Sequence, residues 1–478
     1  MGTVNYYIFM QKHKNRLRNI VSLVLLVLLL LLQLHAFSQG KEANVWYFGQ
    51  RAGIDFNSGS PPVTLLDSQM SAGGGGSSGS ASIADSNGNL LFYSNGLHIW
   101  NKNHVFMQNG QDIGTLSSQG AMIVPIPGNN KLFYFFNYIW EFSVFQYHFQ
   151  YSVIDMNLDN GNGGVVASQK GIRLFNNSSN HLSAVTHING QDVWVLAHKY
   201  YSDYYYAYLV TADSLHHTPV ISQVGSVFDA SSGYMKISPN GKKVVSAVQQ
   251  SPLAFFDLVD FDNETGIVND QNMVHDASGN YYGVEFSPNN SKLYIKGTGK
   301  LVQYDLDAGS PQEILDSEVE IFDGGYQGAL QLGPDGKIYC SMGDAYLSVI
   351  HQPNNAGMAC GFEEDAIDLE GRLTTGGLPS FIQSYLNDPS FSTQNNCLGD
   401  ATTFEITETN GIDSVFWKFN DFPNQPNDTS TLFSPAYTFS NAGIFFVDLT
   451  VYSGLLEKTV TQEVIIHPLP EPELGNDT

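Results

Sequence analysis

The stretch from Gly283 to Leu306, GVEFSPNNSKLYIKGTGKLVQYDL, confines this chain to a narrow set of folds. Val284 and Phe286 alternate with polar residues, and Ser287 to Asn290 makes a turn. Leu293 and Ile295 open a second alternating run, Gly297 to Gly299 turns again, and Leu301 to Tyr304 makes a third. Alternation with period 2 gives each strand one core face, and the Pro, Asn and Gly punctuation makes hairpins. A single sheet of three or four strands cannot bury both of its faces, so it must stack on copies of itself.

The copies are present. Aligned on the turn, they read ASIADSNGNLLFYS from Ala81, MKISPNGKKVVSAV from Met235 and ALQLGPDGKIYCSM from Ala329. Looser versions are MIVPIPGNNKLFYF from Met122 and AVTHINGQDVWVLA from Ala184. The turns fall at Ser86, Pro127, Ile188, Pro239, Pro288 and Pro334, roughly 40 to 60 residues apart, which is the spacing of propeller blades. The 3.6-residue periodicity of a helical solenoid is missing. The expected fold is all-β: a seven-bladed β-propeller over residues 41–390, with six or eight blades as the alternatives, followed by a smaller β-sandwich over residues 397–468. Val45 to Asn57 reads as a hairpin without an innermost strand, and Leu378 to Tyr385 is the expected donor of that strand, closing the ring.

Charge narrows the partners. A formal net charge of −25 argues against nucleic acid and anionic membrane surfaces, both of which demand basic patches. Residues 1–38 read as a signal peptide, with Lys12, Lys14, Arg16 and Arg18 ahead of the apolar run Ile20 to Leu34 and small residues at Ala36 and Ser38. The mature chain is therefore expected to be secreted or at the cell surface, with no membrane insertion after cleavage.

The motifs that suggest chemistry are weak in their context. Gly74-x-Gly76-x-x-Gly79 and Gly75-x-Ser77-x-Gly79 fit a dinucleotide fingerprint and a nucleophile elbow, but a strand follows where either would need a helix. Asp257, Asp260, Asp262 and Glu264 lack the alternation and glycine of a calcium loop. The tyrosines from Tyr200 to Tyr208 fit strand packing. The 13 histidines show no metal-ligand spacing, so no metal and no cofactor is expected. Cys340 and Cys360 are positioned for a disulfide in an exported chain, leaving Cys397 odd.

Gly79, Gly120, His181, Gly233, Tyr282 and Gly328 lead into the innermost strands, and none is a carboxylate. That pattern predicts a non-catalytic binding or adhesion platform; the alternative is a propeller-based glycosidase or lyase, which needs converging carboxylates. The loops at the mouth of the channel carry Asn180, His181, Asn280, Tyr281, Tyr326 and Gln327. His181, Tyr281, Tyr326 and Gln327 are the candidate ligand-binding residues, suited to a glycan or a protein segment.

Two resemblances add to this reading. Phe416-Trp417-Lys418-Phe419-Asn420-Asp421, Ser434 to Phe439 and Ala442 to Val451 resemble the strands of PKD domains, with Lys418 and Asn420 in place of the usual Asp and Gly. Trp46 to Phe56 and Asp85 to Met107 resemble propeller regions of large exported surface proteins of gliding-type bacteria. Those chains run from signal peptide through propeller and PKD-like modules to a sorting domain for type IX secretion. The resemblance implies a spacer or interaction role for the sandwich. It also implies that 469–478 is a linker or the start of a further module, and that the chain is a fragment lacking the sorting domain.

Overall fold

The computed structural model describes residues 41–71, 79–229, 232–249, 254–387, 389, 391–406, 412, 414–421, 428–453 and 456–469. Residues 1–40, read above as carrying a signal peptide, most of the Gly/Ser loop and residues 470–478 lie outside the described residues. Nine small sheets account for the strands among the described residues, and every strand pair within them is antiparallel. Seven of the nine follow one another along the chain between Val45 and Asp368. The turns aligned in the sequence each join the first and second strands of a sheet. One short helix, α1 (Pro311–Asp316), lies between the third and fourth strands of the sixth sheet. Ser310 caps it, its side chain accepting from the Glu313 amide while Glu313 reaches back to Ser310.

In the sixth sheet, all residues of Tyr281–Phe286 and Lys292–Gly297 are buried on both faces. A sheet is buried on both faces only when neighbours cover it, and the neighbours are the adjacent sheets. The innermost strands are Val45–Phe48, Ala81–Ala84, Ala121–Pro125, Ser178–Thr186, Gly233–Ile237, Tyr281–Phe286 and Leu330–Leu332, each packed against the next. They approach closely. A Cβ on Gly283 would lie 2.1 Å from the Gly328 carbonyl oxygen of the seventh sheet, so only glycine fits.

The seventh sheet returns to the first. Trp46 meets Tyr339 edge-on at 5.4 Å, Ser60 Oγ donates to Asp335 at 2.8 Å, and Thr64 Oγ1 donates to the Asp368 carbonyl at 2.8 Å. Residues of both sheets share one buried core. The array is propeller-like.

The closure differs from the expected one. Val45–Phe48 is itself the innermost strand of the first sheet, paired with Ala52–Asp55. Leu378 to Leu386 is not part of that sheet. Its Pro379 makes a parallel bridge to Ser80 and its Ile382 makes another to Ala184, on the innermost strands of the second and fourth sheets. A segment that touches both strands runs between them, along the channel. Leu378, Phe381, Ile382, Gln383 and Leu386 are all buried there, with Phe381 against Trp46. The physical reason lies in the segment itself. Pro379 has no N–H to donate to a ladder, and residues 383–386 wind into a 3-10 turn, so no full strand can form.

The remaining two sheets face each other as a sandwich. One holds Phe391–Gln394, Thr402–Ile406 and Ala436–Tyr437; the other holds Ser414–Lys418, Thr429–Ser430, Gly443–Ser453 and Leu456–Ile466. Trp417 is fully buried at its centre between Phe391 and Phe404, and its indole N–H donates to the Leu432 carbonyl at 2.8 Å. Among the described residues no helix is long and apolar enough to cross a membrane.

Candidate functional site

The residues expected at the channel mouth fall into two groups. His181 and Tyr281 are interior. His181 is fully buried: its Nε2–H donates to the Ala247 carbonyl of the next sheet at 3.0 Å, and Nδ1 lies 3.1 Å from Ser179 Oγ. Burial lowers its pKa to about 4, so this imidazole is a neutral packing group. Tyr281 packs edge-on against Phe256 at 5.1 Å and donates its hydroxyl to Asp276 at 2.5 Å, and burial pushes its pKa up.

Gln327 and Tyr326 are nearer solvent. Gln327 accepts from Gln249 and from Thr298, and Asn280 accepts from Gln249 at 3.2 Å while donating to Thr298 at 3.1 Å. These polar groups satisfy one another. Tyr326 stands 76% exposed beside them. Deeper in, Gln119 seals the axis: it accepts from the amides of Leu182 and Met235 and donates to the Met235 carbonyl.

An open cleft of about 590 Å3 lies instead between the first and second sheets. It is lined by Lys41, Tyr47, Asp55, Asn57, Leu65, Asp67, Asn87, Asn89, Lys102 and His104, among others. Strand alternation builds its floor. Trp46 and Phe48 turn toward the core shared with the seventh sheet, whereas Val45 and Tyr47 turn toward Tyr93 and Trp100 of the second. Tyr47 lies 4.4 Å from Tyr93, and Tyr93 stacks on Trp100 at 5.5 Å.

Asp67 is the centre of the polar wall. One oxygen accepts the Tyr47 hydroxyl at 2.7 Å, and the other lies 3.2 Å from His104 Nε2. His104 Nδ1 lies 3.3 Å from the Tyr93 hydroxyl, which also accepts the Gln69 amide at 3.1 Å. The Asp67 carboxylate can only accept, so His104 Nε2–H donates to it. Burial, reinforced by Asp67, pushes the Tyr47 phenol well above its usual range, and burial raises Tyr93 to about 12. Both phenols therefore stay neutral donors. His104 takes a left-handed backbone conformation, φ 60°, in the turn after Ile99–Asn101, which is uncommon for a residue other than glycine and found where a side chain must be aimed. Asp67 remains 54% exposed to the cleft.

Asp55 is the second carboxylate of the lining. Its Oδ1 accepts the Asn57 amide at 2.8 Å and the Asn57 side chain at 2.7 Å, and Asn57 also donates to the Gly88 carbonyl at 2.9 Å. Asn57 presses so closely on Gly88, at φ 87°, that a Cβ there would lie 2.0 Å from Asn57 Oδ1. These two turns join the rims of the first and second sheets.

The acidic run does not converge. Asp257 is buried, accepting Ser226 N at 2.7 Å and lying 2.7 Å from His275 Nδ1; Asp260 pairs with Lys243 at 3.0 Å; Asp262 caps its own turn. Among the described residues no group of three or more His, Cys, Asp or Glu is arranged to hold a metal. The disulfide between Cys340 and Cys360 is not formed: both are buried free thiols, and Cys397 is an exposed one. Cys340 faces the packed interior of the seventh sheet, where burial raises its pKa to about 12.

No protein-family model matches the chain, and no curated protein matches it. Solved structures do. A candidate 6-phosphogluconolactonase from Bacteroides fragilis matches at 11% identity, covering 82% of this chain and 94% of that one, with a TM-score of 0.36. The periplasmic gluconolactonase PpgL from Pseudomonas aeruginosa matches at 12% identity, covering 77% and 92%, with a TM-score of 0.34. The extracellular domain of a candidate hybrid two-component system from B. thetaiotaomicron matches at 11% identity, covering 83% and 58%, with a TM-score of 0.32. Likenesses of this size transfer no substrate or activity to this chain. The expectation of a chain without enzymatic activity meets a contrary finding here: proteins named as lactonases stand among its structural neighbours.

Proposed function

We propose that this chain is an exported, carbohydrate-active enzyme on a closed seven-bladed propeller, with its site in the cleft between the first and second sheets. The observation that carries this reading is the half-exposed Asp67 carboxylate, fixed in one orientation by Tyr47 and His104, with Asp55 in the same lining. Hydrolysis of a glycosidic bond needs two carboxyl groups, one to transfer a proton and one to act as base or nucleophile. Asp67 suits the second role, since both its oxygens are held and cannot rotate away. Asp55 suits the first: its Oδ2 has no hydrogen-bond partner among the described residues. A cleft of this volume accommodates one or two sugar rings.

Contacts between the seventh and first sheets support the blade count. The leader pattern of residues 1–38 supports export, and the Phe416 to Asp421 strand supports a PKD-like spacer in a type IX secretion context. A second surface, for a glycan or a protein, is proposed at the mouth beside the exposed Tyr326.

The test is a hydrolysis screen of the mature chain on aryl glycosides. Asp67→Asn is expected to lower kcat by about 100-fold or more while the melting temperature stays put. No turnover across the panel, or an undiminished Asp67→Asn enzyme, removes the proposal.

A further inference from the structure

A buried cluster of reactive groups lies away from the cleft, on the innermost strands. Lys236, Glu285 and Gln331 stand three residues before the turn prolines Pro239, Pro288 and Pro334, one position in three successive repeats. The same position, three residues before Ser86, Pro127 and Ile188, holds Ile83, Val124 and Val185. Polar side chains therefore replace apolar ones in the fifth, sixth and seventh sheets. They are interior, with Lys236 2%, Glu285 0% and Gln331 1% exposed. Lys236 Nζ lies 3.0 Å from Glu285 Oε2 and also donates to Gln331 Oε1. The Leu332 amide donates to Glu285 Oε2 and the Phe286 amide to Oε1, each at 3.0 Å. Gln331 Nε2 donates to the Leu332 carbonyl at 3.0 Å. An amine, a carboxyl group and a carboxamide are thus held in contact, out of reach of bulk water.

We propose that Lys236 and Gln331 become joined by an amide bond that the folded chain forms by itself, with Glu285 carrying the protons. Within the buried pair, Glu285 takes one proton from Lys236, which cancels both charges and frees the nitrogen lone pair. That lone pair attacks Gln331 Cδ, the atom bonded to the oxygen it already touches, and fixed proximity replaces a bimolecular encounter. The Nζ–Cδ bond forms and the Cδ–Nε2 bond breaks. Of the three Lys236 ammonium protons, one stays on the new amide, one stays on Glu285, and Glu285 relays one to Nε2, which leaves as ammonia. No oxidant or reductant is needed. The product contains no buried charge, whereas the ion pair before it is costly to desolvate. The bond ties the fifth sheet to the seventh across the sixth, and restricts the unfolded chain as a disulfide would. Cys340 and Cys360, both free thiols, supply no such staple.

The experiment is tryptic mapping of the purified mature chain by mass spectrometry. An amide on Lys236 blocks cleavage there, so residues 200–242 are expected to be joined to residues 301–337 in one branched peptide. That peptide should be about 17 Da lighter than its two parts together, the mass of one ammonia. Gln331→Met keeps the ion pair but removes the acceptor, and Glu285→Gln keeps amine and carboxamide but removes the base. In both, the branched peptide is expected to vanish and cleavage after Lys236 to return. Wild type made in a reconstituted translation mixture, which holds no crosslinking enzyme, should still give the branched peptide. Linear peptides 200–236 and 301–337 from the wild type overturn the proposal. So does a branched peptide that persists in folded Glu285→Gln, or one that is missing from the reconstituted mixture. Where Glu285→Gln does not fold, wild type and Gln331→Met still decide whether the bond exists.

Discussion

The central channel and the cleft between the first and second sheets share the innermost strand Val45–Phe48, yet they are opposite environments. Phe381, Ile382 and Leu386 fill the channel, and the polar groups at its mouth bond to one another. The cleft is open and its Asp67 carboxylate is half-exposed. Position on a repeated scaffold therefore does not mark the proposed site. What marks it is which polar groups the fold leaves with capacity to spare. Substitutions in the channel should cost stability with little direct effect on chemistry, and substitutions in the cleft should do the reverse.

The harshest trial of that contrast is Ile382→Asp. It buries a carboxylate with no partner, which is expected to prevent the ring from folding; soluble, fully folded protein would show that the channel is wetter than described. Phe381→Ala is milder, at about 4 kcal/mol by chemical denaturation, because it removes a ring packed against Trp46.

Acid comes next. The folded pKa of His181, about 4, lies below the ordinary value of 6.5, so the unfolded chain binds the extra proton. The stability associated with the neutral imidazole is present at pH 7 and is lost as pH falls from about 6.5 toward 4. The loss amounts to about 3 kcal/mol. Urea titrations at pH 7 and 4.5 should show a steeper loss for wild type than for His181→Gln; equal losses would assign the acid sensitivity elsewhere.

Smaller still is the difference between two tyrosines near the mouth. Tyr281→Phe should lose about 1 kcal/mol with its Asp276 bond, whereas Tyr326→Ala, on an exposed side chain, should stay within about 0.5 kcal/mol in thermal melts. A large effect at Tyr326 would mean that it is packed and not part of an open surface.

The repeated hairpins were legible because alternation and Pro/Asn/Gly turns are local signals. Ring closure was not. Leu378 to Tyr385 has the composition of a strand, and only its pairing with Ser80 and Ala184, remote in sequence, shows it to be a filling. His181 and Tyr281 sit in polar-looking stretches, but sheets on both sides cover them. The cleft was missed for a related reason. Tyr47, Asp67, Tyr93 and His104 come from two sheets and the loop between them, and no spacing rule links them. The one local hint was the NKNH turn, Asn101 to His104, where a histidine takes a conformation usually left to glycine or asparagine.

The threaded segment also settles how a load would travel. The chain leaves the ring along its axis, parallel to the innermost strands, before it enters the sandwich at Phe391. Tension applied to the sandwich would pull Leu378 to Leu386 lengthwise, so its contacts must slide and break together. A chain leaving from an outer strand would instead peel one bond at a time. The ring would then hold its C-terminal tether as a collet holds a rod. Single-molecule stretching from the sandwich should show release of this segment as one high-force event, and a series of small steps would mean that the grip is absent.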